Sequence, residues 1–467
     1  MQFVHPPFPR PDVDWQAFAR ELGGVPSSRE AGLLRRRSQD MNWFSPVLKP
    51  LFAGLRADIV VTPRDEADVM AVARACVRHR VPLTVRGAGT GNYGQAVPLH
   101  GGVVLDTSSM TAVRWLRDGA ARCEPGIKMS ALEETTRKAG WELRLFPSTK
   151  RTATIGGFLA GGSSGVGAIR FGFLRDLGNI LGIRVVTMEE EPRVIELRGP
   201  DVNRAAHAFG TNGIITEVEI GLAPAESWVD VIVAFDDLLA ATRFGQALSD
   251  ADGLVKNEVA IFDAAIAPYF PTVHGHIGPG KHTAFLMVAE QSMEGLGYLA
   301  RDHGGAIVYK KPDPESGRTR PLYEYTWNHT TLHALNADPG ITYLQSFLPH
   351  GRVAELVEHL RGKFGDELPF HLEWVRWEGE TACDGLQLVR YTTEERLREV
   401  IAYHESIGVT VFDPHTYVLE DGGMKVVDPA QLEFKRDVDP HGLLNPGKMR
   451  GWWERKAVAG RDRAIFR

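Results

Sequence analysis

Arg86-Gly87-Ala88-Gly89-Thr90-Gly91-Asn92-Tyr93-Gly94 and, further along, Pro147-Ser148-Thr149-Lys150-Arg151-Thr152-Ala153-Thr154-Ile155-Gly156-Gly157-Phe158-Leu159-Ala160-Gly161-Gly162-Ser163-Ser164-Gly165 are the two stretches that decide the fold. Each follows a short apolar run, Val81 to Val85 and Leu143 to Phe146, that reads as a strand. In the first stretch, glycines at alternating positions let successive backbone N–H groups turn inward, making a concave nest for a phosphate or pyrophosphate, with Arg86 adding a fixed charge. The dinucleotide fingerprint is excluded, because Gln95-Ala96-Val97-Pro98 follows instead of a helix and Asp106 does not end a βαβ unit. The second stretch is too polar for a strand and too rich in glycine for a stable helix, so it reads as irregular backbone lying against something. Together the two segments imply one extended ligand held from two sides.

Outward from them the pattern alternates. Asp58 to Val61 is a strand-like run, and Thr62-Pro63-Arg64-Asp65 supplies an N-cap, a first-turn proline and an acid, so a helix is expected from there. Val69, Val72, Ala73, Cys76 and Val77 form one apolar stripe on it, which gives Cys76 a core role. Strands follow at Val103 to Asp106 and Ala121 to Glu124. Ser130-Ala131-Leu132-Glu133 reads as a capping box, with Gly140 closing its helix. Gly182 to Met188 and Val194 to Leu197 form a hairpin-like pair, and Ile214 to Leu222 a last strand. From Trp228 the texture changes to aromatics and strand-length apolar runs at Val229 to Phe235 and Thr283 to Val288, a second domain. The boundaries expected are 1–225, 226–410 and 411–467. Arg35, Arg36 and Arg37 read as a solvated helix end, and Pro312 to Arg320 as an exposed loop.

Composition sets the limits. The 467 residues carry 49 glycines, above the typical usage of roughly 7%. A net charge of −6 gives no pull toward nucleic acid or an anionic membrane. No apolar stretch is long enough to span a bilayer, and Met1 to Trp15, rich in proline, lacks the pattern of a targeting signal. Cys76, Cys123 and Cys383 lie far apart without zinc spacing, which favours a reducing compartment and a cytoplasmic setting.

The order strand, RGxGTxxxG, P…TIGGxxAxxxxG…RFG and Gly213-Ile214-Ile215-Thr216-Glu217 resembles the FAD-binding domain of the vanillyl-alcohol oxidase and para-cresol methylhydroxylase superfamily. Asp439-Pro440-His441-Gly442-Leu443-Leu444-Asn445-Pro446-Gly447-Lys448 is similar to the closing motif of its FAD-linked members, including D-2-hydroxyacid and glycolate dehydrogenases. The resemblance implies an α+β fold: a two-lobed FAD-binding domain of the para-cresol methylhydroxylase type, an α+β cap (substrate) domain, and a C-terminal segment returning to the first. It puts Arg86, Gly87, Ala88, Gly89, Thr90 and Gly91 at the pyrophosphate with Asn92 and Gln95 nearby. Pro147, Thr154, Ile155, Gly156, Gly157, Ala160, Gly161 and Gly165 would line the flavin side, Ile214 and Ile215 the adenine, and Asn445 would return toward the flavin ring. Members with covalent flavin carry a histidine in the first loop or a cysteine in the second. Ala88 and the lack of cysteine between Cys123 and Cys383 therefore imply non-covalent FAD.

The chemistry implied is hydride transfer from a hydroxyl-bearing carbon to flavin, on a 2-hydroxy acid or alcohol. His415, His371 and His329 are the candidate bases, Tyr417 a donor beside His415, and Arg376 a clamp for a substrate carboxylate. His371, Glu373 and Val375 alternate onto one face of a strand. His329 and His333 share a helical face, but no HExxH glutamate accompanies them and no metal is assigned. A phenolic, aromatic-alcohol or amine substrate is the alternative, favoured if Tyr343, Trp374 and Tyr417 line a pocket. A flavin electron-transfer subunit of a larger complex is another. Oxygen, a quinone, a cytochrome or a partner protein stay open as acceptor, as does a homodimer.

Overall fold

The computed structural model describes residues 12–458, so the proline-rich start, up to residue 11, lies outside them. Val103–Asp106 is the centre of the first sheet, pairing in parallel with Ile59–Val61 on one side and Leu83–Arg86 on the other. Between these strands runs the helix Glu66–Arg78, whose buried stripe Val69, Val72, Ala73, Cys76 and Val77 matches the spacing in the sequence. It starts later than Thr62. Asp65 caps it by accepting from the Asp68 N–H, while Asp68 accepts from the Arg64 amide and guanidinium, so the acids displace threonine as caps. The predicted box at Ser130 also fails. Met129–Arg137 begins two residues earlier, after Lys128 and without a side-chain cap, and Glu133 is committed to the Leu143 N–H across the lobe.

A second sheet in the same lobe is antiparallel, ordered Val113–Arg117, Ala120–Cys123, Ile214–Pro224, Ile180–Val186, Val194–Arg198, with Trp141–Leu143 on the far half of Ile214–Pro224. The second glycine segment contains a true helix, Ile155–Gly161, contrary to its composition. Thr154 caps it, and Ile155, Phe158 and Leu159 are buried in the lobe's core, so packing outweighs the propensity of its glycines. Arg37 pairs with buried Asp106 at 2.7 Å instead of standing in solvent.

At Trp228 the chain enters an eight-stranded sheet of the second lobe, ordered Ala306–Pro312, Trp228–Phe235, His282–Ala289, Lys256–Phe262, His371–Trp377, Glu380–Gly385, Ser346–Leu348, Thr410–Val411. Both of its faces are covered, and so its strands read as continuous apolar runs. Val229, Val231, Val233, Ile261, Leu286, Leu372 and Trp374 pack on the helices Leu238–Asp250, Met293–Asp302, Val353–Phe364 and Glu394–Ser406. The opposite face, which turns to the first lobe, carries Phe262, Phe285 and Val375, and among them His371, Glu373, Glu258 and Asp384. Pro312 ends a strand and the loop from there to Arg320 has no regular element, yet Glu315 in it is pinned by Lys150 at 2.5 Å and by the Tyr323 hydroxyl at 2.9 Å.

The C-terminal segment then returns to the first lobe. Leu443 and Asn445 exchange backbone hydrogen bonds with Leu83 at 2.9 and 2.7 Å, extending the first sheet beside the strand that leads into the glycine loop. The helix Pro429–Val438 anchors this return through Lys435, whose ammonium donates to Asp439 at 2.5 Å, to Leu444 O at 2.8 Å and to Thr211 O at 2.9 Å. Removing one partner of a buried pair leaves the other charge unpaired. Lys435→Met is therefore expected to lower stability by about 3–5 kcal/mol. Urea denaturation followed by circular dichroism measures it, and an unchanged midpoint would contradict the anchoring role.

Candidate active site

Between the lobes lies a cavity of about 540 Å³, within the ~300–1,000 Å³ range of small-molecule and cofactor sites. Its first-lobe wall is the two glycine segments. Gly87, Ala88, Gly89, Thr90, Gly91, Asn92 and Gln95 line it from one, and Pro147, Thr154, Gly156, Gly157, Ala160, Gly161 and Gly165 from the other, with Ile215 beside them. The Gln95 amide donates to Gly161 O at 3.2 Å and ties one segment to the other.

Four expected cofactor residues stand behind this wall instead of on it. Arg86 is buried beneath the loop, and a Cβ at Gly89, whose φ is +72°, would land on its guanidinium. Glycine is needed there so that the loop can lie flat on a cation. Ile155 and Ile214 belong to the hydrophobic cores, because their side chains point away from the cavity. Asn445 does not reach toward the cavity either. Its amide donates to Gln95 O at 2.7 Å and to Phe209 O at 2.5 Å, and its carbonyl oxygen accepts from Thr84 at 3.4 Å, so all its polar capacity goes into fastening loops.

Gly94, the end of the loop, is gripped from both sides. Asp40 accepts from its N–H at 2.7 Å, and Lys448 donates to its carbonyl. Burial pushes the Asp40 carboxyl up to about 6 and the Lys448 ammonium down to about 7. The residues present fit a dinucleotide. The backbone nest is open, Arg86 lies directly behind it with Nε and Nη1 buried and unpartnered, and the Ser164 hydroxyl at the cavity wall is likewise buried without a partner.

Of the candidate bases, only His329 reaches the cavity. It sits on the helix Asn328–Ala337, where its Nδ1 donates to Glu324 O at 3.2 Å and leaves Nε2 as acceptor. His333 meets the same carbonyl at 3.1 Å, so the pair that shares a helical face converges on a backbone oxygen. Burial, with His333 adding to it, pushes the His329 imidazole down to about 4. His415 is corrected: it is buried, its Nδ1 meets Ser45 Oγ at 2.8 Å and its Nε2 meets Tyr343 O at 2.9 Å, so both nitrogens are consumed away from the cavity. Tyr417 packs edge-on against Phe52 and does not line the cavity. Arg376 lies outside it too, spending its guanidinium on Ile169 O, Gly379 O and Asp252. Tyr343 is fully buried and Trp374 faces the helices of the second lobe, so neither makes an aromatic pocket with Tyr417.

His371 is buried behind the wall, hydrogen bonded through Nε2 to Glu373 Oε1 at 2.6 Å, and burial pushes its imidazole down to about 3. The same oxygen accepts the Trp327 N–H at 2.8 Å, while the Trp327 indole donates to Glu258 Oε2 at 3.3 Å. Trp327 lines the cavity with φ +51° and ψ −141°, a conformation that costs a bulky residue about 1–3 kcal/mol.

The sequence reading missed Trp327, Asn328, Gln345, Asp384, Arg175 and His207, all of which line the cavity. Asp384 stands in register opposite Glu373, and burial pushes its carboxyl up to about 7. No local pattern in Glu380–Gly385 flags Asp384, and strand pairing alone places it.

A glycine nest over a buried arginine, facing a histidine-bearing cap across a shared cavity, fits an FAD-dependent oxidoreductase. Residues 57–195 match the FAD binding domain family model. A D-lactate dehydrogenase [cytochrome], mitochondrial, of Arabidopsis thaliana is 33% identical over 428 residues, covering 84% of this chain and 73% of that protein. A D-2-hydroxyglutarate dehydrogenase, mitochondrial, of Bos taurus is 24% identical, covering 84% and 76% respectively. The fold is also that of an alkyldihydroxyacetonephosphate synthase structure, with a TM-score of 0.71 at 15% identity over 96% of this chain and 88% of that one. The chain belongs to the family of FAD-linked D-lactate and D-2-hydroxyacid dehydrogenases.

Gly89→Val would force a branched residue to positive φ and drive its side chain into Arg86. The folded variant is expected to lose FAD, read as the ratio of flavin to protein absorbance, and full occupancy would refute the close stacking of loop on cation.

Proposed function

We propose that the protein oxidises a 2-hydroxy acid to the 2-oxo acid, with His329 taking the hydroxyl proton. The observation that carries this is the placement of the His329 Nε2 acceptor on the cap wall of the same cavity that the glycine segments line from the other lobe. FAD, when bound, supplies the hydride acceptor. The names of the relatives support the hydroxy-acid class. At neutral pH His329 is uncharged, because burial holds its imidazole near 4, so it is ready to accept a proton. Asn328 and Gln345, joined at 3.2 Å, offer amide groups to orient the substrate.

A second reading, a neutral or aromatic alcohol, is favoured by the lining. Among the described residues Arg175 is the one arginine or lysine on the cavity wall, and Phe44, Tyr93, Trp327 and Trp377 supply aromatic surface. For the acceptor we propose a cytochrome-type protein, as the name of the Arabidopsis relative suggests. A reducing, cytoplasmic setting is supported by three buried, unpaired cysteines.

Two experiments bear on these readings. FAD is expected to be released into the supernatant by acid precipitation, since Ala88 lies in the first loop and no cysteine lines the cavity. Yellow colour kept in the pellet would show a covalent link. His329→Ala is expected to slow anaerobic flavin reduction by ~10²–10⁴-fold with FAD content unchanged. Asp384 becomes an anion above about 7, and a substrate carboxylate would then be repelled. For a hydroxy acid, kcat/KM should fall as pH rises through that value, and Asp384→Asn should abolish the fall. A pH-independent kcat/KM with a neutral alcohol as the better substrate would favour the second reading.

A further inference from the structure

Behind the cap wall lies a hydrogen-bonded cluster that the chemistry above does not use. Glu373 Oε1 accepts the Trp327 amide N–H at 2.8 Å and is hydrogen bonded to His371 Nε2 at 2.6 Å. The His371 Nδ1 is buried without a hydrogen-bond partner, and burial pushes the Glu373 carboxyl up to about 8. Glu258 touches Glu373, and its Oε1 is buried without a hydrogen-bond partner. Two carboxyls in contact inside a protein cannot both be charged without cost, so the pair holds at least one proton between them. Burial and the neighbouring Glu373 both push the Glu258 carboxyl well above its usual range.

What the cluster holds is Trp327. Its main-chain N–H is bound by one glutamate and its indole N–H by the other, so both ends of the residue are fixed. The backbone is left-handed at +51°, a region that an unassisted tryptophan avoids. The next two residues, Asn328 and His329, also line the cavity, so the clamp sets the start of the wall that faces the substrate.

We propose that Trp327 is the specificity-determining wall of this site and that Glu373, backed by Glu258 and His371, is the positioning residue that keeps the indole from yielding to a larger substrate. The inference rests on the hydroxy-acid reading for its substrates, but the wall itself does not depend on turnover.

Glycine adopts positive φ freely, so Trp327→Gly keeps the backbone and deletes only the indole. Glu373→Leu removes the clamp, whereas Glu373→Gln keeps a carbonyl oxygen for the Trp327 amide. Each FAD-loaded variant is assayed anaerobically with lactate and with 3-phenyllactate, and titrated with unreactive acetate and phenylacetate by perturbation of the flavin spectrum. In Trp327→Gly and Glu373→Leu the preference for the small ligand should fall at least tenfold in both readouts. Glu373→Gln should retain the wild-type ratio. An unchanged ratio in Trp327→Gly, or in a folded Glu373→Leu, overturns the proposal. Should Glu373→Leu not fold, Trp327→Gly decides the wall, and loss of the wild-type ratio in Glu373→Gln would overturn the clamp. If neither hydroxy acid reduces the wild-type flavin, the substrate reading fails, and the acetate to phenylacetate ratio still decides the wall.

Discussion

The structure depends on the return of the C-terminal segment onto the glycine loop. A run of backbone with so many glycines has little side-chain packing of its own and a large conformational entropy to lose. It is held because Asn445 binds Gln95 O and Phe209 O while Lys448 and Asp40 grip the carbonyl and N–H of Gly94. Lys435 and Asp439 fix the segment that carries Asn445. A charged clamp in a dry environment costs much to desolvate, and it is tolerated because Lys435 and Asp439 pair with each other and the remaining bonds go to backbone groups.

The second lobe solves a different problem. Its sheet is buried on both sides, and the face toward the first lobe still carries Glu258, Glu373, Asp384 and His371. Isolated charges there are costly, so below about pH 7 the groups are neutral or share protons. Their field across the cavity is consequently weak, and the strong fixed charge comes from Arg86 beneath the loop on the opposite wall.

Much of this was legible because it is local. The strand-length apolar runs at Val229 to Phe235 and Thr283 to Val288, the alternation of His371, Glu373 and Val375, the stripe of Glu66–Arg78 and the two glycine segments are all written in short-range spacings. What was not legible depends on contacts between distant elements. His415 looked well placed by topology, but Ser45 and Tyr343, both remote in sequence, occupy its nitrogens. Arg376 alternates correctly along its strand and so faces away from the cavity, while Asp384 enters it only through its register with Glu373. The helix Ile155–Gly161 shows the same limit, since the burial of Ile155 and Leu159 overrode its weak propensity. Trp327 is the extreme case, because no local rule predicts a tryptophan at φ +51°.

Taken across the cavity, the two walls divide the work of a hydroxyl oxidation. The first-lobe wall is preorganised positive by backbone N–H groups and Arg86, which suits a site where negative charge is bound. On the facing wall the accessible acceptor is the neutral His329 Nε2, whose tautomer the Glu324 carbonyl fixes through Nδ1. A proton leaving a substrate hydroxyl thus has its acceptor on the side away from Arg86. Once protonated, His329 is a cation in a partly buried site beside His333, a state that burial disfavours, so it returns the proton to solvent readily. Burial thereby makes His329 a weaker base and keeps it unprotonated for the next turnover. The rate of proton transfer must then come from orientation more than from basicity, which makes the fixed geometry of Trp327, Asn328 and His329 the quantity that this fold preserves.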